Sequence, residues 1–308
     1  MSTSRCSRRC SRRAPALALL LLAAAAGDEA LRESHAFASL AAAALGDDVG
    51  VALGRDAATG LRGLFAARAA APGDLLLRVP LARCLVETRA LPASLRRAPA
   101  SMTWDVRLAL QLHDSSEHDG FWAAYGGLLP RGDDLAQPLV LGPRDLDRLG
   151  DAPAAAAARE QRRRLRELFP DLPPDVLPAD DGDASFPGTL LVAWANVRSR
   201  AFAAGTAAVA YEGEAGTEES DRFAFVPFLD MGNHEASRPT AAFAVVGDAF
   251  ELRALAPLAA GDGVTYSYAE PRDVRAHFAL YGYVPGSACA TRSCHVAAYR
   301  ALARAREL

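Results

Sequence analysis

The apolar run Phe225-Val226-Pro227-Phe228-Leu229 ends at Asp230, and Asn233, His234 and Glu235 follow almost at once. A carboxylate, an amide and an imidazole so closely spaced can present side chains and backbone to a ligand. They can equally cap a solvent-exposed turn, and spacing alone admits both readings. A second set lies downstream. Tyr268 follows Val264-Thr265-Tyr266-Ser267, a run with strand character, so its hydroxyl can reach a pocket mouth from a strand end. Taken alone, such a tyrosine is more often packed in a core with its hydroxyl satisfied. Tyr281 stands thirteen positions further on, directly before Gly282. The third set is Cys289, Cys294 and His295. These are metal-ligating types, but crowded together and without a second pair elsewhere they make a poor tetrahedral site, so no metal is expected. With Cys6 and Cys10 near the N-terminus, the remaining Cys84, Cys289 and Cys294 form an odd set that does not suggest a disulfide framework, and free thiols are expected.

The elements that must position these residues are set by a chain of 308 residues, long enough for one large domain or two ordinary ones. Hydrophobic residues make up 51% and charged residues 23%, values of a soluble globular protein. A net charge of -3, with no sustained basic stripe outside the N-terminus, argues against a nucleic-acid partner. All 34 basic residues are arginine, so the chain cannot modify a lysine side chain of its own.

The first 26 residues differ from the rest. Arg5, Arg8, Arg9, Arg12 and Arg13 precede an apolar run over residues 14–26, and the first acid is Asp28. That pattern reads as a signal peptide, or as a plastid or mitochondrial transit peptide. The run is short for a bilayer span, so no stable membrane insertion of the mature chain is expected.

Residues 35–45 read as a short helix. Glycine-punctuated apolar runs follow, with a turn at Ala71-Pro72-Gly73-Asp74 and a strand over 75–79 that stops at Pro80. From Thr103 the spacing becomes helical. Residues 144–168 are rich in alanine, arginine and glutamate and read as one helix, and residues 190–202 as another. Strands are expected again from Phe223, over 242–246, 250–255 and 264–268. The order is strands, a helical block over about 104–195, then strands, which makes a helical insertion in a β-rich domain the simplest architecture. The glycine pattern of a dinucleotide-binding doubly wound sheet is absent.

Several of these stretches resemble a known family. "GLRGLFAARAAAPGDLLLRVP" (60–80) looks like the opening of a SET domain. "FWAAYGGLLP" (121–130), "WANVRSRAF" (194–202), "FLDMGNHE" (228–235) and "VTYSYAEPRDVRAHFALYGYVP" (264–285) are similar, in order, to motifs of the Rubisco large-subunit methyltransferase branch. The resemblance covers residues 36–286, and five ordered motifs are far more specific than one. Departures are Gly60 where an acid is common, Glu235 for serine after Asn-His, and Asp273-Val274-Arg275-Ala276-His277 for "S-N-A-E-L".

The resemblance implies a mainly β, α+β SET fold of small sheets with a pseudoknot-like crossing, interrupted by the helical insertion. Residues 287–308 would be a C-terminal tail, without the helical substrate-binding domain of fuller members. It implies an S-adenosylmethionine-dependent protein-lysine methyltransferase with a lysine-containing protein as partner. Histidine as acceptor, or an inactive SET module that binds protein, are the alternatives. Tyr268 would be catalytic. The turn Gly60-Leu61-Arg62 would cradle the cofactor by backbone contacts, and Asn233 and His234 would bind it through their backbone, with the Asn233 side chain organising a crossing of two segments. Arg200, Asp230, Phe243 and Tyr281 would face the acceptor. His234 is not expected to act as a base, and Arg198 is expected on the surface of its helix.

Overall fold

The computed structural model describes residues 28–87, 91, 102–179, 187–204, 223–268, 273–287 and 289–305. The leader read over residues 1–26 lies outside them. The chain divides into two compact units, one formed by residues up to 79 with 231–268, the other by 80–230 with 269–308.

The first unit carries helix α1 (Asp28–Leu45) and two small sheets. The helix begins earlier than its apolar spacing suggests, because Asp28 and Glu29 place acid at the positive end of the helix dipole. Strands β1 (Val51–Arg55) and β2 (Arg62–Ala66) pair antiparallel, with Val51 opposite Ala66 and Arg55 opposite Arg62. Strand β10 (Gly263–Tyr266) then changes partner along its length. Gly263 and Val264 pair antiparallel with Phe65 and Leu64 of β2, while Thr265 and Tyr266 pair parallel with Asn233 and His234 of β7 (Asn233–His234). This handover is the crossing expected from sequence. The second sheet has the order β3-β9-β8, built from β3 (Leu75–Pro80), β8 (Ala241–Val246) and β9 (Ala249–Ala254). The core is aliphatic and aromatic: Leu53, Leu64, Leu76, Leu77, Phe250, Val264 and Tyr266 are all buried.

The second unit is mostly helical. Its sheet has the order β4-β6-β5, from β4 (Leu85–Val86), β5 (Ala201–Ala203) and β6 (Phe223–Phe225). Helix α2 (Trp104–His118) leads into α3 (Gly120–Gly126), whose N-terminus is capped by the Asp119 carboxylate accepting from Phe121 N and Trp122 N. The stretch 144–168 is two helices, α4 (Pro143–Asp147) and α5 (Ala152–Leu168). Gly150, at φ +81°, stands in the break, and Asp151 caps the second helix through Ala154 N. Helix α6 (Thr189–Arg200) is buried on nearly every side and ends before 202, since Ala201 and Phe202 join β5 to pair with β6. Helix α7 (Val274–Tyr281) follows.

The segment read as a tail contains helix α8 (Arg292–Ala305). Its Val296 and Tyr299 belong to a buried cluster with Leu141, Leu146, Ala155, Phe278 and Val284. The Tyr299 ring stacks on Phe278 at 4.1 Å. Cys289 and Cys294 are joined in a disulfide immediately before and within this helix, which corrects the expectation of free thiols. The odd count of three pointed away from a framework, whereas this bond is a single local one that closes a five-residue separation across one helix start. Cys84 is buried outside any disulfide, and its thiol donates to Pro80 O at 3.6 Å.

Candidate functional site

In the first unit, the loop after β1 is closed by Asp56. Its carboxylate accepts from Thr59 Oγ1 and Thr59 N, both at 2.7 Å, and from Ala58 N at 3.1 Å. The Thr59 hydroxyl, then the backbone, hold this carboxyl below its ordinary range. Gly60 follows at φ +72°, a conformation that favours glycine, and a Cβ there would meet nothing within 4 Å. Leu61 is 39% exposed, a high value for its type. The turn therefore combines a left-handed backbone with open space beside it.

Arg62 begins β2. Its carbonyl accepts from Asn233 Nδ2 at 2.9 Å, and its guanidinium lies 3.4 Å from Glu33 Oε1 on α1. Glu33 places an acid beside this turn from an element that the motif comparison did not include. The Asn233 amide lies so close over Gly63 that a Cβ there would stand 2.4 Å from Nδ2. His234 Nδ1 accepts from Tyr268 N at 3.1 Å, so the imidazole anchors that backbone by a hydrogen bond. The Tyr268 hydroxyl donates to Gly232 O at 2.6 Å. Gly232 has no room for a side chain, since a Cβ would approach the Tyr266 ring to 2.3 Å.

Tyr266 was not among the residues singled out in sequence. It is buried, meets Phe243 of β8 edge-on at 5.4 Å and lies 5.5 Å from Tyr268, which in turn is 5.1 Å from the His234 ring. The available signal was its spacing: residues two apart in an extended segment face the same side. Gly60, Leu61, Arg62, Asn233, His234 and Tyr268 thus share one neighbourhood of this unit, with Phe243 joined to it through Tyr266.

In the second unit, Arg200 closes α6. Its Nη1 donates to Asp230 O at 2.7 Å and lies 3.4 Å from Asp230 Oδ2. The Asp230 side chain is fully buried, so the turn-capping reading of this residue does not hold. The other carboxylate oxygen accepts from the Tyr125 hydroxyl, which itself accepts from Phe228 N at 2.7 Å. Burial, and then the Asp230 charge, push the Tyr125 phenol well above its ordinary value. Phe228 sits at φ +70°, the only non-glycine residue at positive φ among the described residues. Such a conformation costs on the order of 1–3 kcal/mol and persists where its surroundings fix it. Tyr125 is the residue that sequence reasoning missed most completely, because it lies 105 positions from Asp230.

Arg198 is not on the helix surface. It donates to Gln161 Oε1 at 3.0 Å, lies 3.8 Å from Asp105 and stands over the Trp194 ring at 5.9 Å. Tyr281 ends α7 against His277 (4.9 Å) and Tyr283 (5.9 Å), while His277 Nε2 and the Tyr283 hydroxyl are 2.8 Å apart. Three of the five altered positions nearby have side-chain partners. Asp273 caps α7 by accepting from Ala276 N, Arg275 bonds to Asp151 at 2.7 Å, and His277 holds Tyr283. Among the described residues no group of three or more His, Cys, Asp or Glu could hold a metal ion.

No family model and no curated protein matches this chain. Solved structures do. The crystal structure of the SET domain of LSMT bound to lysine and AdoHcy matches with a TM-score of 0.60 at 18% identity, over 83% of this chain and 57% of that one. The structure of Rubisco LSMT bound to AdoMet matches with a TM-score of 0.59 at 19% identity, with the same shares. The structure bound to MeLysine and AdoHcy matches with a TM-score of 0.57 at 20% identity, over 78% and 53%. The chain spans little more than half the length of these proteins. It has their SET-domain fold.

Proposed function

We propose that the protein is an S-adenosylmethionine-dependent methyltransferase whose acceptor is a lysine side chain of a protein substrate. The observation that carries this reading is the junction where β7 pairs in parallel with β10. There Asn233 is tied to Arg62 O and Tyr268 to both His234 and Gly232. The SET fold supports it, as do neighbours solved with the methyl donor, its product and lysine. The residues present fit the cofactor: Gly60 leaves open space where a side chain would stand, and the exposed turn offers backbone groups.

When bound, S-adenosylmethionine supplies a sulfonium methyl group for in-line displacement by a nitrogen. The chain's own part is positioning. Gly60, Leu61 and Arg62 cradle the cofactor through backbone groups, and Asn233 and His234 bind it while fixing the crossing. An acceptor lysine, with an ordinary pKa of about 10.4, must lose a proton before it attacks. Aromatic walls at the acceptor, for which Phe243 and Tyr281 are our candidates, would favour the neutral amine by excluding water. Tyr268 holds the reacting groups in register from a hydroxyl anchored on Gly232 O, and Arg200 and Asp230 orient the acceptor.

The test is transfer of labelled methyl from S-adenosylmethionine to lysine-containing polypeptides, compared with versions in which lysine is replaced by arginine or histidine. The lysine-free chain gives no background from lysine side chains of its own. Label that depends on lysine supports the reading, Tyr268→Phe should lower kcat roughly a hundredfold with little effect on cofactor binding, and label that follows histidine would overturn the acceptor assignment. The leader and the Cys289–Cys294 disulfide together favour an oxidising, secretory compartment. Recovery of the full chain from a plastid or mitochondrial stroma or matrix, cleaved near residue 26, would contradict that placement.

A further inference from the structure

We infer that Tyr125 is a positioning residue for the methyl-transfer reaction, holding the Asp230 carboxylate and the strained turn before it in a single arrangement. The inference rests on the proposed function, which gives Asp230 its place at the acceptor. Three observations converge on this tyrosine. Its hydroxyl has no exposure and is enclosed by the rings of Phe121 (5.8 Å), Trp122 (5.7 Å) and Phe228 (5.3 Å). Within that water-free shell it donates to an Asp230 oxygen and accepts from Phe228 N at 2.7 Å. Phe228, at φ +70°, opens the step into Asp230, whose carbonyl takes the Arg200 guanidinium at 2.7 Å.

A tyrosine that only fills a core bonds a backbone carbonyl and leaves no charge nearby. Here the donor is spent on a buried carboxylate, an arrangement that apolar residues of the same volume would replace at little or no loss of stability. The phenol oxygen also accepts from Phe228 N, so one atom touches both the turn and the carboxylate it delivers. Without the hydroxyl, one carboxylate oxygen loses its Tyr125 donor and Phe228 N loses its Tyr125 acceptor, while Arg200 stays beside the other oxygen. The acceptor would then meet an Asp230 of variable orientation.

The experiment compares wild type, Tyr125→Phe, Asp230→Asn and the double variant as full chains. S-adenosylmethionine affinity, thermal midpoint, and acceptor KM and kcat are measured for each. Tyr125→Phe should raise acceptor KM about tenfold, with cofactor affinity within twofold of wild type, because a hydrogen bond to a charged group carries that much. The double variant should be no worse than Asp230→Asn alone, since both substitutions act through one carboxylate. An active wild type with an unchanged KM in Tyr125→Phe, or additive losses in the double variant, would overturn the positioning role and leave the proposed function standing. A folded wild type that transfers no methyl group would remove both. If Tyr125→Phe does not fold, 3-fluorotyrosine at position 125 keeps the hydroxyl and strengthens its donation. A changed acceptor KM then supports the role, and an unchanged one overturns it.

Discussion

Asp230 and Asn233 are three residues apart in sequence, yet the junctions around them are built from different materials. Asn233 belongs to a neutral crossing, made of an amide on a carbonyl, a phenol on a carbonyl and a backbone N–H on an imidazole. Asp230 belongs to a charged junction sealed among aromatic rings, with Tyr125 on one oxygen and Arg200 on its carbonyl. Neutral bonds tolerate partial exposure. A buried carboxylate must keep all its partners, because losing one leaves a charge that the interior cannot solvate. The first junction should therefore fail by steric intrusion and the second by loss of a partner.

The largest effect is expected from Arg200→Leu, which removes the guanidinium from a fully buried carboxylate. Denaturant unfolding should show a loss of about 3 kcal/mol. A loss no larger than that of an exposed arginine would erase the distinction between the junctions. Gly232→Ala comes next. Its methyl would meet the Tyr266 ring, and the neutral crossing should lose about 2 kcal/mol by the same measurement.

Alkaline titration gives a smaller contrast. The Tyr125 phenol is raised on folding, first by burial, and Tyr299 is raised as well. A raised group leaves its stabilisation intact below the unfolded value, near 10, and loses it as pH climbs toward the folded value. Thermal midpoints should thus fall above about pH 10, and Tyr125→Phe should flatten that fall. An equally steep fall in the variant would place the alkaline sensitivity elsewhere. The smallest effect is expected from Glu160→Ala on the exposed face of α5. Glu160 pairs there with Arg163 and Arg164, and its carboxyl is lowered to about 2, first by Arg163 and then by Arg164. Solvent screens such pairs, so the midpoint should not move measurably.

What could be read from the sequence follows the same division. The neutral crossing was legible because its parts are local: a glycine turn at 60–63, an Asn-His pair after an apolar run, and tyrosines at fixed spacing. The parallel pairing of β7 with β10 and the Asn233 bond to Arg62 O then realise the expected crossing. The charged junction was half legible. Arg200 and Asp230 lie in recognisable stretches, but nothing in spacing links them to Tyr125, and no pattern of residue types announces a phenylalanine at positive φ. Arg198 and the Cys289–Cys294 pair were misread for a related reason. Burial of Arg198 depends on Asp105 and Gln161 from distant segments. The disulfide depends on a helix start that composition alone does not mark. Glu33 of α1 lies 3.4 Å from the Arg62 guanidinium, a pairing visible only once the chain is folded.

The central claim is that the Asn233 crossing and the turn at Gly60 hold S-adenosylmethionine. Calorimetric titration of that compound into the wild-type chain and into Asn233→Ala tests it most directly. The account predicts binding by wild type and a loss of at least about tenfold in the variant, which gives up the amide bond to Arg62 O. A folded wild type that takes up no S-adenosylmethionine, or a variant that binds as tightly as wild type, would contradict it.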